Sequence, residues 1–135
     1  MSRVYYLDTS AVLKLFADES SATEFRDFWT AHADDAYVSS SLLRVELSRS
    51  VSRSYPAQVQ AAGRLLREVE HVPMNDSIID AAIAEPDRQL RSLDAIHLAS
   101  ARILLPDLTA LVTYDRRLAD AASQAGMTVL APGLD

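Results

Sequence analysis

Four acidic residues sit in surroundings that an ordinary surface charge does not need. Asp8 follows the apolar run of VYYLDTSAV at positions 4–12 and is itself followed by more apolar residues. Glu46 lies inside SLLRVELSRSV, with Leu42 and Leu43 about a helical turn before it and Ser50 a turn after, so its face reads as apolar. Asp94 stands two residues after Ser92 in LRSLDAIHLASA, and Asp115 follows the run LVTY. Each acid also has an ordinary explanation. Asp8 and Asp115 can cap the helices that follow them, and Asp115 on its own reads better as a cap than as a ligand. Asp94 favours the positive end of a helix dipole. Glu46 can pair with Arg49 three residues on, but a buried, unpaired carboxylate is very costly, and a bound cation is one way to offset that cost. Brought together, four carboxylates without cysteine or a His-rich set make a hard-oxygen site suited to Mg²⁺ or Mn²⁺ rather than zinc. A cation held among acids polarises a phosphoryl oxygen and acidifies bound water, which a further carboxylate can orient or deprotonate. That is the apparatus of phosphodiester hydrolysis, and it needs no serine nucleophile.

The acids cooperate only if the fold carries them to one place. Val4–Leu7 is short, rich in strand-forming types and stopped by an Asp-Thr-Ser cluster, so it reads as a buried strand leading into a helix over about 10–16. Helical spacing through Ala22, Phe25, Phe28 and Trp29 predicts a second helix over about 21–32. A strand at 36–38 runs into Ser39, Ser40 and Ser41, and helices follow over about 42–53 and, opened by Pro56, to about Glu68. The segment 71–74 looks extended; Asn75 or Asp76 can cap a helix through Ala84, and Ser92 one to about Leu104. The last third repeats the unit: strand 110–113, a helix from Asp115 to Ala125 ended by Gly126, and strand 128–130. Strands alternating with helices predict a three-layer α/β/α sandwich around a mainly parallel sheet. In such sheets ligands bind beyond the carboxyl ends of the strands, which is where Asp8 and Asp115 fall.

Composition bounds the reading. Hydrophobic residues make up 49% and charged residues 24% of the 135, near the globular average, and no linker or repeat divides the chain, so residues 1–135 are expected to form a single domain. Cysteine is absent, which excludes disulfides, thiolate metal sites and thiol nucleophiles. The N-terminal Met1-Ser2-Arg3 leads straight into a strand, and no stretch reaches the roughly 20 apolar residues of a membrane span. A soluble, cytoplasmic protein without a membrane partner is expected. The net charge of −6 argues against simple coating of DNA. Among the cations Lys14 is the one lysine; the rest are arginine, whose fork suits phosphate.

YYLDTSAVLKL, SSLLRVELSRS, LRSLDAIHLASA and LVTYDRRLADAASQAGMTVLAPG together resemble the successive signatures of PIN-domain ribonucleases, with the VapC toxins of bacterial toxin-antitoxin pairs the nearest match. The resemblance covers essentially the whole chain and is weakest from about Ser54 to Glu85. It implies a metal-dependent endoribonuclease with Asp8, Glu46, Asp94 and Asp115 as its catalytic acids. Asp8 and Asp94 would be direct ligands of Mg²⁺ or Mn²⁺, with Glu46 and Asp115 acting through water. It further implies an RNA substrate, a VapB-like antitoxin whose C-terminal segment covers an apolar groove, and a homodimer. The exposed faces of Val12–Phe16 and Phe25–Trp29 are the candidate groove, with core packing as the alternative. Thr9, Ser10 and Thr113 fall in the same motifs and could orient the acids by hydrogen bonds. His97, one turn after Asp94, reads as structural rather than as a general base. Arg44, Arg49, Arg91 and Arg116 are candidates for holding flanking phosphates.

Other chemistries fit less well. A phosphoreceiver domain needs an acidic pair at its first strand and a lysine near its last, and Lys14 is in neither place. A haloacid-dehalogenase-like phosphatase needs a second Asp where Ser10 stands. Gly63, Gly126 and Gly133 form no phosphate-cradling loop, against dinucleotide and P-loop sites. The alternatives left are a free-standing RNA-processing PIN nuclease and a catalytically silent PIN-like binding module.

Overall fold

Val4–Leu7 forms β1, and its side chains alternate as a strand requires: Tyr5 and Leu7 enter the core on one face of the sheet, Tyr6 the core on the other. The computed structural model describes residues 2–17 and 21–134; Met1, the first residue of the N-terminal run read above, lies outside them. The other strands are β2 (Ala36–Ser40), β3 (Glu70–Val72), β4 (Ala110–Val112) and β5 (Val129–Leu130). Their order is β3-β2-β1-β4-β5, and every pairing is parallel. Tyr6 is matched with Val38 on one side and Leu111 on the other. The chain thus builds outward from β1 in one direction and then returns to its other side, which makes the gap beyond the carboxyl ends of β1 and β4 a topological switch point.

Helices α1 (Thr9–Leu13), α2 (Ala22–Ala31), α3 (Leu42–Ser54) and α4 (Val59–Glu68) pack on the Tyr5–Leu7 face. Helices α5 (Asp76–Ile83), α6 (Ser92–Arg102) and α7 (Arg116–Gln124) cover the other. The result is the α/β/α sandwich expected. In α3, Leu43, Leu47 and Val51 recur every four residues and are fully buried, each contributing about 1.5–3 kcal/mol. That stripe fixes the rotation of α3 and leaves Glu46 at its margin. On the opposite layer, Glu85 is buried and accepts two hydrogen bonds from Arg102, at 2.8 and 2.9 Å, tying the segment before α6 to the end of that helix.

Several expectations change. The first helix starts at Thr9 and stops at Leu13, because Asp8 already caps it. Pro56 opens a short 3-10 turn, Pro56–Gln58, before α4 rather than α4 itself. Arg91, not Ser92, occupies the cap position of α6 and makes no side-chain cap bond there. The serines after Val38 extend β2, since Ser39 donates to the Leu7 carbonyl at 2.6 Å and so satisfies its buried hydroxyl. The candidate groove is core instead: Val12, Phe16 and Phe25 are buried in one cluster, with Phe28 and Trp29 packed against it. Lys14 is also buried, its ammonium 4.8 Å from the Tyr114 ring centre. No helix among the described residues is long and apolar enough to cross a membrane.

Gly63 lies inside α4 where an added Cβ would meet nothing within 4 Å. Gly63→Ala should therefore stabilise the fold by about 0.5–1 kcal/mol, since a helical alanine loses less backbone entropy. Chemical denaturation would show it as a higher midpoint at unchanged slope; an unchanged or lower midpoint would mean that the glycine is structurally required.

Candidate active site

Asp8 leaves the end of β1 in extended conformation and caps α1, so its carboxylate is drawn back over the sheet edge. It is 4% exposed, and every hydrogen bond it makes is accepted. Oδ1 takes the Ala11 N–H at 3.0 Å and the Ser10 hydroxyl at 2.7 Å, while Oδ2 takes the Thr113 hydroxyl at 2.7 Å. The two hydroxyls are themselves fixed by the loop after β4: Ser10 Oγ accepts the Tyr114 N–H and Thr113 Oγ1 accepts the Asp115 N–H, both at 3.0 Å. Burial pushes the Asp8 carboxyl up, and the charge of His97 and the bonds from Thr113, Ser10 and Ala11 only partly oppose it.

Asp115 follows β4 and caps α7, with Oδ1 accepting the Leu118 N–H at 3.1 Å. The cap explanation is therefore true of one oxygen; the other, Oδ2, lies 3.8 Å from Arg91. Arg91 also reaches Asp94 Oδ2 at 3.9 Å, but its side chain is largely exposed and this bridge contributes little. Asp94, in the first turn of α6, is half-buried. Burial raises its pKa, and the charges of Asp115 and Asp8 raise it further against the opposing Arg91 and His97.

Glu46 is held differently. Its Oε1 accepts the Thr9 hydroxyl at 2.6 Å and a bond from His97 Nε2 at 2.9 Å. Among the described residues no ion pair joins it to Arg49. Burial pushes the Glu46 carboxyl up, but the bonds from His97 and Thr9 and the imidazole charge outweigh it and leave its pKa lowered. His97 is buried, and its other nitrogen, Nδ1, is 2.8 Å from the Tyr6 hydroxyl. Burial raises the Tyr6 pKa, so the phenol stays protonated beside the ring, and Nε2–H donates to Glu46. His97 is thus a positioning residue for Glu46.

All four acids line one cleft of about 560 Å³ at the carboxyl ends of β1 and β4. Leu13, Leu42, Val45 and Leu93 supply apolar wall, and Arg49 and Arg53 stand at the α3 side. Arg53 was not singled out from the sequence, although its spacing of seven from Glu46 places it on the same helical face. Arg44 lines a separate cavity instead, beside Arg67 and His71. Among the described residues no three His, Cys, Asp or Glu side chains form a ready ligand cluster. With carboxylates as the candidate ligands, and Asp94, Asp115 and Asp8 mutually repelling, the cleft nonetheless fits a Mg²⁺-like ion that keeps several waters and takes few direct protein ligands.

Comparison with known proteins identifies the family and the fold. The model of the PIN domain matches residues 5–124. Ribonuclease VapC47 of Mycobacterium tuberculosis is 42% identical over 132 residues, covering 95% of this chain and 96% of the relative. Ribonuclease VapC35 of the same species is 38% identical over 130 residues, again covering 95% and 96%. Among solved structures, the M. tuberculosis toxin VapC20, described as cleaving the sarcin-ricin loop, superposes with a TM-score of 0.72 at 18% identity, covering 95% of this chain and 99% of that one. A toxin-antitoxin complex from Klebsiella pneumoniae gives 0.69 at 22% identity, covering 97% and 98%. The structural likenesses carry the fold alone, whereas the sequence matches extend over nearly every element that positions the four acids. This chain belongs to the PIN-domain family, among its VapC ribonucleases.

Proposed function

We propose that the protein is a metal-dependent endoribonuclease, the toxin of a toxin-antitoxin pair, which hydrolyses RNA phosphodiester bonds at the cleft between β1 and β4. The observation that carries this reading is the meeting of Asp8, Glu46, Asp94 and Asp115 on one cleft from four separate segments of the chain. The family supports it, and relatives named as ribonucleases supply the reaction class.

Asp8 and Asp94 would hold Mg²⁺ or Mn²⁺, and Glu46 and Asp115 would reach it through water. When bound, the ion supplies charge to the phosphoryl oxygen and acidifies water. The remaining work belongs to the protein. Ser10, Thr113 and the Ala11 N–H fix both Asp8 oxygens in place. Glu46, kept ionised by Thr9 and His97, is suited to orient an attacking water or take its proton. Arg49 and Arg53 offer positive charge to the phosphates beside the scissile one. An antitoxin would silence the site by covering this cleft, in keeping with the toxin-antitoxin complexes that share the fold. A homodimer remains part of the proposal.

The purified protein should cut RNA with Mg²⁺ or Mn²⁺ and lose that activity in excess EDTA. Asp94→Asn should lower the rate at least a hundredfold without unfolding the protein, because the nearly isosteric amide removes ligand charge. Cleavage that survives EDTA would reject the metal mechanism; a wild-type rate in the variant would reject Asp94. In cells, expression alone should arrest growth and coexpression of the neighbouring antitoxin gene should relieve it. Harmless expression of an active nuclease would point to an RNA-processing enzyme.

The raised pKa values of Asp8 and Asp94 set the sign of a further test. A carboxyl that retains its proton in the metal-free fold must lose it to bind a cation, so Mn²⁺ affinity should increase as pH rises through the raised values. Calorimetric titration across pH would measure this, and pH-independent binding would place the cation elsewhere.

A further inference from the structure

We propose that the cavity between α3 and α4 is a phosphate-binding subsite that anchors RNA beside the acidic cleft; this rests on the ribonuclease reading. The cavity measures about 790 Å³, and its lining includes Arg44, Val45, Ser48, Arg67 and His71. No acid lines it, although the chain carries a net charge of −6. Arg44 and Arg67 are exposed, and among the described residues neither joins an ion pair.

His71 adds an independent observation. Its Nε2 donates to the Leu66 carbonyl at 2.9 Å, so Nδ1 is left as acceptor, and Nδ1 is a buried side-chain atom with no hydrogen-bond partner. Leaving such an atom unmatched is unfavourable. Gly63 also lines the cavity, in a helix interior where glycine is disfavoured and where an added Cβ would meet nothing. The missing side chain keeps the space open.

The location points to RNA rather than to an unrelated anion. Val45, which is 57% exposed, lines both this cavity and the acidic cleft, so α3 is the ridge between them. Along that ridge Arg44 serves one side and Arg49 and Arg53 the other, with Arg44 and Arg53 about 13 Å apart along the helix axis. A strand cut at the acids and crossing α3 would meet guanidinium groups on both sides. Such contacts hold phosphates without reading sequence.

Two full-chain variants test the subsite: Arg44→Gln with Arg67→Gln, and Gly63→Glu, which places a negative charge in the cavity through a good helix former. Circular dichroism would establish that both are folded. Binding of a fluorescent, long single-stranded oligoribonucleotide in EDTA should weaken about tenfold in each, and the double variant's dependence of log Kd on log salt should become shallower by about 1.4, as expected for two lost phosphate contacts. Cleavage of an oligoribonucleotide short enough to fill only the acidic cleft should keep its wild-type kcat and KM in Mn²⁺. Unchanged long-RNA affinity and salt slope in both variants overturn the subsite and leave a protein partner as the occupant. Arginine-dependent binding by a wild type that cuts no RNA overturns the ribonuclease reading alone.

Discussion

The burial of the Asp8 carboxylate is the constraint around which this molecule is arranged. A carboxylate 4% exposed at a sheet edge is unfavourable unless its oxygens are matched, and the chain matches them locally, through Ser10 and Ala11, and at long range, through Thr113. The long-range bond exists because β1 and β4 are parallel neighbours, with Leu7 opposite Val112, so their carboxyl ends deliver Asp8 and Thr113 to the same point. Thr113 in turn accepts the Asp115 N–H, which couples the start of α7 to the first strand. The hydrogen bonds lower the cost of the buried charge without removing it, as the raised pKa shows. In the proposed function, a cation would supply the remaining compensation.

Core packing brings the other acids to that point. Leu43, Leu47 and Val51 set the rotation of α3 and hence Glu46, while Leu98 and Ala101 seat α6 against the opposite face and orient Asp94 and His97. The chain from Tyr6 through His97 to Glu46 passes from one core to the cleft using buried polar groups with matched partners. A substitution at Tyr6 would therefore act on the chemistry through the placement of the His97 ring, with no contact to substrate.

Much of this was legible in the sequence where the signal is local. The apolar run of β1, the helix over about 42–53 and the cap at Asp115 depend on residues a few positions apart, and each forms as read, with Asn75 rather than Asp76 capping α5. The errors have one physical origin: periodicity shows neighbours on the same element and not those across the fold. Glu46 and Arg49 are neighbours on α3, yet Glu46 bonds Thr9 and His97, which are 37 and 51 residues away. Phe25 and Phe16 look like an exposed apolar face only until the sheet beneath them is in place. Arg44 and Arg49 are both basic residues of one helix, but helical rotation sends them to different cavities.

The central claim, that these acids are held together for a divalent cation, is tested most directly by thermal unfolding with and without metal. Mn²⁺ at about 100 times its Kd should stabilise the wild type by about 2.7 kcal/mol relative to EDTA, provided the unfolded chain binds negligibly. The doubly substituted Asp8→Asn, Asp94→Asn protein should lose most of that Tm shift while remaining folded, because the two raised carboxyls are gone. An equal metal-induced shift in both proteins would contradict the account: the cation would bind elsewhere, and Asp8 and Asp115 would be helix caps and nothing more.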